Sequence, residues 1–361
     1  MADFVERYLA QAAGDLPATT LRDRRSYLRD DGPLLRYFGE RKLDEITAPM
    51  LRAWWGAEIQ ARGLSAKTGR GYLDTLSSVL GYARDLGLVE SSPIGDFREM
   101  LRRGSRTKKA RAEAEPGRSV RPIEDAEPLA RLVASAREEG PEAEVLVLLC
   151  LDGGLRVGEA SALRWGAIEW GTDETDTSRA LRVEESRPRG GEAETPKSGR
   201  RRRVALSLRL RRVLHDLYRA RFEPSPEALV VDVEPNNFRH REWRRIVKRA
   251  GLAGQQLKDL RDTFASHLLT AGVQLGYVSA QLGHADVSVT ARHYARWCGG
   301  DDYREPMHLA PGEVPADFLA RLDEGRTVSR ARSASAFTTS RAIPIAHQSP
   351  RPSAIGAHDV S

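Results

Sequence analysis

Apolar residues in the first part of the chain recur at the three- and four-residue spacing of amphipathic helices. The pattern is clear between Phe4 and Leu9, between Ile46 and Ile59, and between Ser65 and Tyr82. Thr47 stands just before Pro49, an arrangement typical of a helix start. No stretch has the alternation of a strand. The pattern therefore predicts a small all-helical domain over residues 1–99.

The pattern becomes mixed in residues 123–298, where we predict a second domain. A helix is expected over 124–138, and the apolar run from Val145 to Leu151 indicates a buried helix. Strand-like residues follow at 165–184, a hairpin is expected near 185–206, and helices from Leu208 to Trp297. The predicted fold is mainly α with a small antiparallel β-sheet in this second domain. Residues 299–361 form a C-terminal tail, expected to be mostly disordered apart from a short helix at Asp317–Leu322.

Charge changes this picture at one place. The chain has 57 Lys and Arg against 51 Asp and Glu, a net charge of +6. Residues 100–122 alone carry 8 Lys and Arg against 2 Asp and Glu, with glycines and prolines among them. This composition predicts a basic linker between the two domains. It is either a solvated tether or a strap that crosses the phosphate backbone of a nucleic acid.

Composition also excludes several classes of protein. The chain has no apolar run long enough to span a membrane, and its acidic N-terminus is unlike a signal peptide. Its two cysteines, Cys150 and Cys298, lack the spacing of metal ligands and suit a cytoplasmic protein with reduced thiols. No phosphate-binding Gly-x-x-x-x-Gly-Lys-Ser/Thr loop or carboxylate cluster occurs, so we expect no cofactor, no metal and no small-molecule substrate.

Four short motifs in the second domain bear residues suited to phosphate chemistry. In the first, Gly153-Gly154-Leu155-Arg156, a tight turn before a helix lets an arginine and backbone amides converge on an oxyanion, with Glu159 one turn away. The second, Thr195-Pro196-Lys197-Ser198-Gly199, places a lysine at the tip of a turn. Taken alone, Arg156 is as readily a capped surface arginine and Lys197 a residue of a solvated basic turn.

The other two motifs lie further along the chain. Lys258 and Arg261 are three residues apart and share a helical face, where two cations would suit one phosphate. In the fourth motif Gly283 ends a helix, His284 lies at the turn, Ser288 or Thr290 opens the next helix, and Tyr294 follows. Alone, these patterns also fit an ordinary amphipathic helix, a packed histidine and a core tyrosine.

Together, in this order and at these separations, the motifs resemble the tyrosine recombinase (phage integrase) family over residues 124–297. The resemblance extends more weakly to residues 1–95, which are similar in length and content to the family's helical core-binding (SAM-like) domain. Two features differ from the usual pattern. Lys258 occupies the first position of the His-x-x-Arg element, and Tyr294 follows His284 at a spacing of ten positions. One extra residue on a continuing helix would rotate the tyrosine by about 100°.

The resemblance implies a site-specific recombinase that clamps duplex DNA between its two domains, as a homotetramer on two DNA sites. It implies that Tyr294 attacks the scissile phosphate, that Arg156 and Arg261 clamp the non-bridging oxygens, and that His284 binds the phosphate and helps to deprotonate Tyr294. Lys197 would protonate the leaving 5′-oxygen, and Lys258 would support the phosphate charge. A type IB topoisomerase-like enzyme that relaxes DNA and a catalytically inactive DNA-binding regulator on the same fold remain alternatives.

Overall fold

The fold was examined in a computed structural model, which describes residues 1–109, 120–188, 191, 193–194, 200–298 and 308–323, with the backbone alone for 104–109. The N-terminal part is helical throughout. Its helices are α1 (Ala2–Asp15), α2 (Ala18–Tyr27), α3 (Pro33–Phe38), α4 (Ala48–Trp54), α5 (Ala66–Asp85) and α6 (Ile94–Lys109), and a π-helical turn at Trp55–Gln60 extends α4. Their apolar faces enclose one core, centred on fully buried residues such as Phe38, Trp54 and Leu76.

Two of these helices begin where the sequence predicts. Thr47 precedes α4, with a proline in the first turn. Ser65 caps α5 by accepting a hydrogen bond from the backbone N–H of Thr68 at 3.1 Å. This bond satisfies one of the amides that the first turn of a helix leaves unpaired.

The sequence prediction of a linker that begins at residue 100 is wrong at its start, because α6 runs through this boundary to Lys109. Met100 and Leu101 pack against the N-terminal core. They continue the apolar stripe of a helix that is otherwise rich in basic residues, so composition alone gave the wrong boundary. The centre of the predicted linker, 110–119, lies outside the described residues.

The second part consists of helices around a small sheet. The helices before the sheet are α7 (Ala126–Glu139), α8 (Pro141–Leu151) and α9 (Val157–Ala162). Those after it are α10 (Leu208–Ala220), α11 (Pro235–His240), α12 (Glu242–Arg249), α13 (Asp259–Thr270), α14 (Leu275–Leu282) and α15 (Val287–Tyr294). Every residue of α8 from Ala143 to Leu151 is buried, so this apolar helix forms the centre of the core.

The sheet is small and antiparallel, as the sequence predicts. Its strands, in the order β1 (Ile168–Glu169), β2 (Ala180–Val183) and β3 (Arg202–Ala205), pair Leu181 with both Ile168 and Val204. The strand-like region expected over 165–184 contains both β1 and β2, which a polar turn rich in Asp and Thr separates. Asp176 accepts hydrogen bonds from the backbone N–H groups of Thr172 and Ser178, which closes the chain into a compact loop.

A last helix, α16 (Asp317–Asp323), packs on the second part of the molecule, beside α7 and α10. It is held by an ion pair between Asp317 and Arg179, whose side chains are 5% and 0% exposed. Asp317 also accepts a hydrogen bond from the backbone N–H of Leu208 at 2.6 Å and so ties α16 to the start of α10. The predicted short helix is thus present, and the tail after residue 323 lies outside the described residues.

Among the described residues, no helix is both long and apolar enough to cross a membrane.

Candidate active site

Arg156 lies at the N-terminus of α9, after a turn that only glycine can form. Gly154 has a φ of 60°, and a Cβ there would lie 2.6 Å from the ring of Phe264. The turn ends at Arg156, whose backbone N–H and Nη1 each donate to a different oxygen of Glu159 at 2.9 Å. The side chain of Arg156 remains 40% exposed. Glu159 therefore orients the guanidinium on one side, and the other side is open to solvent.

Glu159 is the buried anion around which the cationic side chains are arranged. Its side chain is 1% exposed and receives two hydrogen bonds from Arg202 of β3, of 2.7 and 3.1 Å. Nη1 of Arg261 lies 3.9 Å away. Burial alone would raise the pKa of Glu159, but the hydrogen bond and charge of Arg202, with smaller effects of Arg261 and Arg156, lower it to about 2. The carboxylate is thus ionised at neutral pH.

Arg261 lies in the first turn of α13 and is almost fully buried. It donates to the carbonyl oxygens of Gly154, at 2.7 Å, and of Leu282, and its Nη2 lies 3.3 Å from Nε2 of His284. These contacts join the Arg156 turn, α13 and the end of α14. Burial, and then the charge of Arg156, lowers the pKa of Arg261 to about 9. The two arginines therefore repel each other in the absence of a bound anion.

His284 follows Gly283, which ends α14 in the left-handed conformation with a φ of 66°. Burial lowers the pKa of His284 to about 4, helped by the charges of Arg261 and Arg156, so the ring is neutral at pH 7. A guanidinium can only donate, so Nε2 of the neutral ring accepts from Arg261. Nδ1 then carries the proton and donates to Oγ1 of Thr290, 2.7 Å away.

Helix α15 begins at Val287, before either start that the sequence analysis expects. Asp286 precedes it and accepts from the backbone N–H of Ser288 at 2.8 Å, so Asp286 is the cap and the prediction of Ser288 or Thr290 is wrong. This start leaves Thr290 inside the helix, fully buried beneath His284. Tyr294 is the last residue of the helix.

Tyr294 is 4% exposed and lies beside α13. Its hydroxyl donates to Oδ1 of Asp262 at 2.7 Å. Burial, followed by the charge and hydrogen bond of Asp262, raises the pKa of Tyr294 well above its usual value, while the charges of Arg261 and Arg156 oppose this rise. One turn later the Sγ of Cys298, an exposed residue, lies 3.4 Å from the carbonyl oxygen of Tyr294.

The two lysines named by the sequence analysis have different outcomes. Lys258, just before α13, donates to Asp259 at 2.7 Å and lies 3.7 Å from Oδ2 of Asp262, so it contacts two carboxylates. It therefore faces the acids of this turn, although it shares the start of the helix with Arg261. Lys197 and its turn lie outside the described residues.

The structure thus brings Arg156, Arg261 and His284 together around Glu159, and places Tyr294 and Lys258 on either side of Asp262. Sequence reasoning missed Arg202 and Asp262. Asp262 had a visible signal, because it lies four residues after Lys258, the spacing of a helical ion pair. Arg202 is one of four consecutive arginines, and only the pairing of β3 selects it.

This arrangement favours a bound anion beside a hydroxyl nucleophile. Three guanidinium groups, those of Arg156, Arg202 and Arg261, are balanced by one carboxylate, so the cluster has a surplus of positive charge. Because the side chain of Arg156 is 40% exposed, part of this positive charge faces solvent. Planar guanidinium groups suit phosphate oxygens, and an adjacent tyrosine can attack a phosphorus atom held there.

Comparison with known proteins identifies the same part of the chain. The sequence model of the phage integrase family matches residues 125–297. Tyrosine recombinase XerC of Chromohalobacter salexigens is 27% identical over 301 residues, which cover 79% of this chain and 88% of XerC.

Solved structures agree on the fold. A lambda integrase dimer bound to a COC′ core site has a TM-score of 0.60 at 16% identity, covering 86% of this chain and 98% of that chain. The Tn1549 transposon integrase in complex with transposon right end DNA also has a TM-score of 0.60 at 16% identity, covering 90% of this chain and 99% of that chain.

Residues 125–297, which carry every motif of the candidate site, are therefore similar to the phage integrase family, as its sequence model shows. The resemblance seen in the sequence is confirmed, as is the mainly helical fold with a small antiparallel sheet.

Proposed function

We propose that this protein is a site-specific recombinase that cuts and rejoins duplex DNA through a 3′-phosphotyrosyl link at Tyr294. The observation that carries the proposal is the contact network of Arg156, Arg261 and His284 around the buried Glu159, with Tyr294 alongside. An anion site and a hydroxyl nucleophile in one place are what phosphodiester cleavage requires.

The anion site binds the scissile phosphate. Arg156 and Arg261 each donate to a non-bridging oxygen, and the negative charge that develops on the phosphorane offsets their mutual repulsion. Glu159 and Arg202 keep the two arginines in place before DNA arrives, so little reorganisation is needed during the reaction. His284 lies beside the same phosphate through its contact with Arg261, and Lys258 adds positive charge nearby.

The covalent link explains how the strand is rejoined without a nucleotide cofactor. Tyr294 displaces the 5′-oxygen, which takes a proton from Lys197, and a phosphotyrosyl bond replaces the phosphodiester bond. The energy of the broken bond is retained in the new one. A 5′-hydroxyl of the same or another strand then attacks the phosphotyrosine and releases Tyr294.

The remaining parts of the proposal concern the partner and the assembly. Residues 1–99 act as a core-binding domain and residues 123–298 as the catalytic domain, which together clamp duplex DNA. The integrases to which this chain is similar in fold are bound to DNA. Family resemblance extends the proposal to a homotetramer on two DNA sites.

The nucleophile can be tested with Tyr294→Phe, which removes one oxygen and keeps the ring. The substrate is a nicked duplex that carries a site selected by the protein from a random-sequence pool, so that cleavage traps the covalent adduct. We expect an adduct from the wild-type protein and none from Tyr294→Phe, with DNA affinity preserved. Tyr277→Phe is the matched control, because Tyr277 is a partly buried tyrosine of the same core and should leave the adduct intact.

An adduct in Tyr294→Phe would contradict the assignment, and loss of DNA binding in this variant would indicate a structural tyrosine. The two alternatives give other results. A DNA-relaxing enzyme would remove supercoils from plasmids without the selected site, and an inactive regulator would bind the site without forming an adduct.

A further inference from the structure

Asp262 is the residue of the site whose position the family motifs do not explain. It follows Arg261 on α13, and its side chain is 18% exposed. One oxygen accepts from the hydroxyl of Tyr294 at 2.7 Å, and the other lies 3.7 Å from Nζ of Lys258. The carboxylate therefore stands between the proposed nucleophile and an ammonium group.

We infer that Asp262 is a catalytic residue, the base that takes the proton of Tyr294 when the tyrosine attacks the scissile phosphate. The inference rests on the proposed function, since it needs Tyr294 to be the nucleophile. It differs from the role that family resemblance gives His284 in deprotonating Tyr294.

The contacts of His284 favour this assignment. Nδ1 of His284 bonds to Thr290 and Nε2 faces Arg261, so both ring nitrogens have partners other than the tyrosine hydroxyl. Asp262 is the acceptor to which that hydroxyl already donates. A proton moves along an existing hydrogen bond without prior rearrangement of the side chains.

The step balances over one reaction cycle. In cleavage, the O–H bond of Tyr294 breaks and its proton passes to Oδ1 of Asp262; the new P–O bond forms, the bond to the 5′-oxygen breaks, and that oxygen takes a proton from Lys197. In rejoining, the 5′-hydroxyl attacks the phosphotyrosine and gives its proton back to Lys197, and Asp262 returns the proton to the departing tyrosine oxygen. No proton is gained or lost by Asp262 over the whole cycle.

Lys258 acquires a defined part in this scheme. Once Asp262 has accepted the proton, the ammonium of Lys258 retains Asp259 as its anionic partner at 2.7 Å. Before transfer, the shared attraction keeps the Asp262 carboxylate oriented with Oδ1 towards the hydroxyl. Asp259 is itself fixed, because it is 2% exposed and accepts from the backbone N–H of Gln256.

Other ionisable groups lie around Tyr294, Asp262 and their contacts, and must be considered in any pH profile. They come from α13, the turn before α9, the turn after α14, and α15: Lys258, Asp259, Arg261, Arg156, His284 and His293. The pKa of His284 is about 4 and that of Arg261 about 9, so between about pH 7 and pH 8 His284 stays neutral and Arg261 stays largely charged. In that window a comparison of the wild-type protein with an Asp262 variant reports on the tyrosine and its base, because the other groups are common to both proteins.

The test compares single-turnover cleavage by the wild-type protein and by Asp262→Asn on the nicked substrate. Asparagine keeps the shape and can still accept a hydrogen bond, but it cannot take a proton. We expect cleavage at pH 7 to slow by about 100-fold or more. The rate of the variant should then rise by about tenfold per pH unit as hydroxide ionises the phenol, whereas the wild-type rate stays flat.

Two further variants separate chemistry from structure. Asp216→Asn removes the same charge from the exposed face of α10 and should leave the rate unchanged. Asp262→Glu retains a carboxylate and should keep the flat pH profile even where its longer side chain slows the reaction. Circular dichroism and DNA affinity establish that each variant folds.

A substrate with sulfur in place of the 5′-bridging oxygen distinguishes the base from the acid. Sulfur leaves without a proton, so Lys197→Ala should recover on this substrate while Asp262→Asn stays slow. A wild-type rate in Asp262→Asn, an unchanged pH profile, or its recovery with sulfur would overturn the inference. If Tyr294→Phe forms no adduct while Asp262→Asn cleaves normally, the inference alone is wrong; an adduct in Tyr294→Phe overturns both.

Discussion

Glu159 illustrates how one residue organises the whole anion site. Its carboxylate accepts hydrogen bonds from the backbone N–H and the side chain of Arg156. It accepts two more from Arg202, and it lies near Arg261. Loss of its charge would leave the largely buried guanidinium groups of Arg202 and Arg261 without a counter-ion. Breaking a buried ion pair in this way is costly, because the desolvation of the remaining charge is no longer compensated.

We therefore expect Glu159→Gln to lower the free energy of unfolding at pH 7 by about 3 kcal/mol. Because the folded-state pKa of Glu159 is lowered to about 2 from 4.5, its stabilising effect is complete above pH 4.5 and is lost as pH falls through 2. The stability difference from wild type should therefore shrink over that window. Urea unfolding at several pH values measures it.

Glu169→Gln is the control, since Glu169 pairs with Arg203 on the surface and is 32% exposed. It should change the free energy of unfolding by less than about 1 kcal/mol at any pH. A Glu159→Gln variant as stable as this control would contradict the central role of Glu159.

At this scale the sequence singled out residues that the structure brings together, but not the partners that hold them. Arg156, Arg261, His284 and Tyr294 stand out because each sits at a helix end or a fixed spacing from another motif residue. The contact between Arg202 and Glu159 joins positions 43 residues apart, and it depends on the register of β3 rather than on any local pattern. Long-range pairs of this kind cannot be deduced from one sequence.

At the scale of elements, the site depends on turns that hold helix ends together. The Gly153-Gly154 turn lets the chain leave the buried α8 and begin α9 within a few residues, beside Phe264 of α13. Gly283 has the same function between α14 and α15. In each case a left-handed backbone conformation places a charged or ionisable side chain, Arg156 or His284, at the helix junction.

Gly154→Ala should accordingly destabilise the protein and slow cleavage together. The new Cβ would meet the ring of Phe264 at 2.6 Å and the residue would keep a φ of 60°, so both the turn and α13 must shift. We expect a loss of about 1–3 kcal/mol in the free energy of unfolding. Thermal unfolding and the adduct assay check the two effects.

Gly276→Ala provides the matched control on α14. A Cβ there meets nothing within 4 Å, and alanine is the better helix former, so stability should rise by about 0.5–1 kcal/mol with cleavage unchanged. If the two substitutions had the same effect, the steric argument for the Gly154 turn would fail.

Elements were predictable where a single helix carries its own signal. The apolar periodicity gave the existence of α4, α5, α7 and α8, and their ends agree with the predicted starts and stops to within a few residues. The bounds of the strands and the start of α15 were harder to predict from the sequence. Short strands of two to four residues are set by pairing with one another, and Asp286, which the sequence analysis did not consider, caps α15 instead of Ser288 or Thr290.

At the scale of the whole molecule, positive charge is concentrated between the two parts of the chain. Residues 100–122 hold 8 Lys and Arg against 2 Asp and Glu, which equals the net charge of the protein. The backbone up to Lys109 is helical, so the first part of this segment carries its charges on a helix rather than on an extended linker. The salt dependence of DNA binding distinguishes a strap that contacts phosphates from a solvated tether.

We expect the double variant Lys108→Gln and Lys109→Gln to weaken binding to all DNA sequences alike. The slope of log affinity against log salt should become shallower by about 0.9 for each phosphate that is no longer neutralised, because fewer counterions are released. The control is Arg131→Gln with Arg212→Gln, whose charges are paired with Glu127 and Glu174. Equal slopes in wild type and the lysine variant, measured by fluorescence anisotropy, would favour the solvated tether.

The two cysteines of the chain differ so strongly in accessibility that the natural sequence offers one site for chemical labelling. Cys150 is 1% exposed near the C-terminal end of α8, and burial raises its pKa to about 12. Cys298 is exposed one turn beyond Tyr294, in contact with its carbonyl oxygen. A maleimide fluorophore would therefore attach at Cys298 alone. Its emission would report the movement of the tyrosine-bearing helix in real time, without any engineered residue.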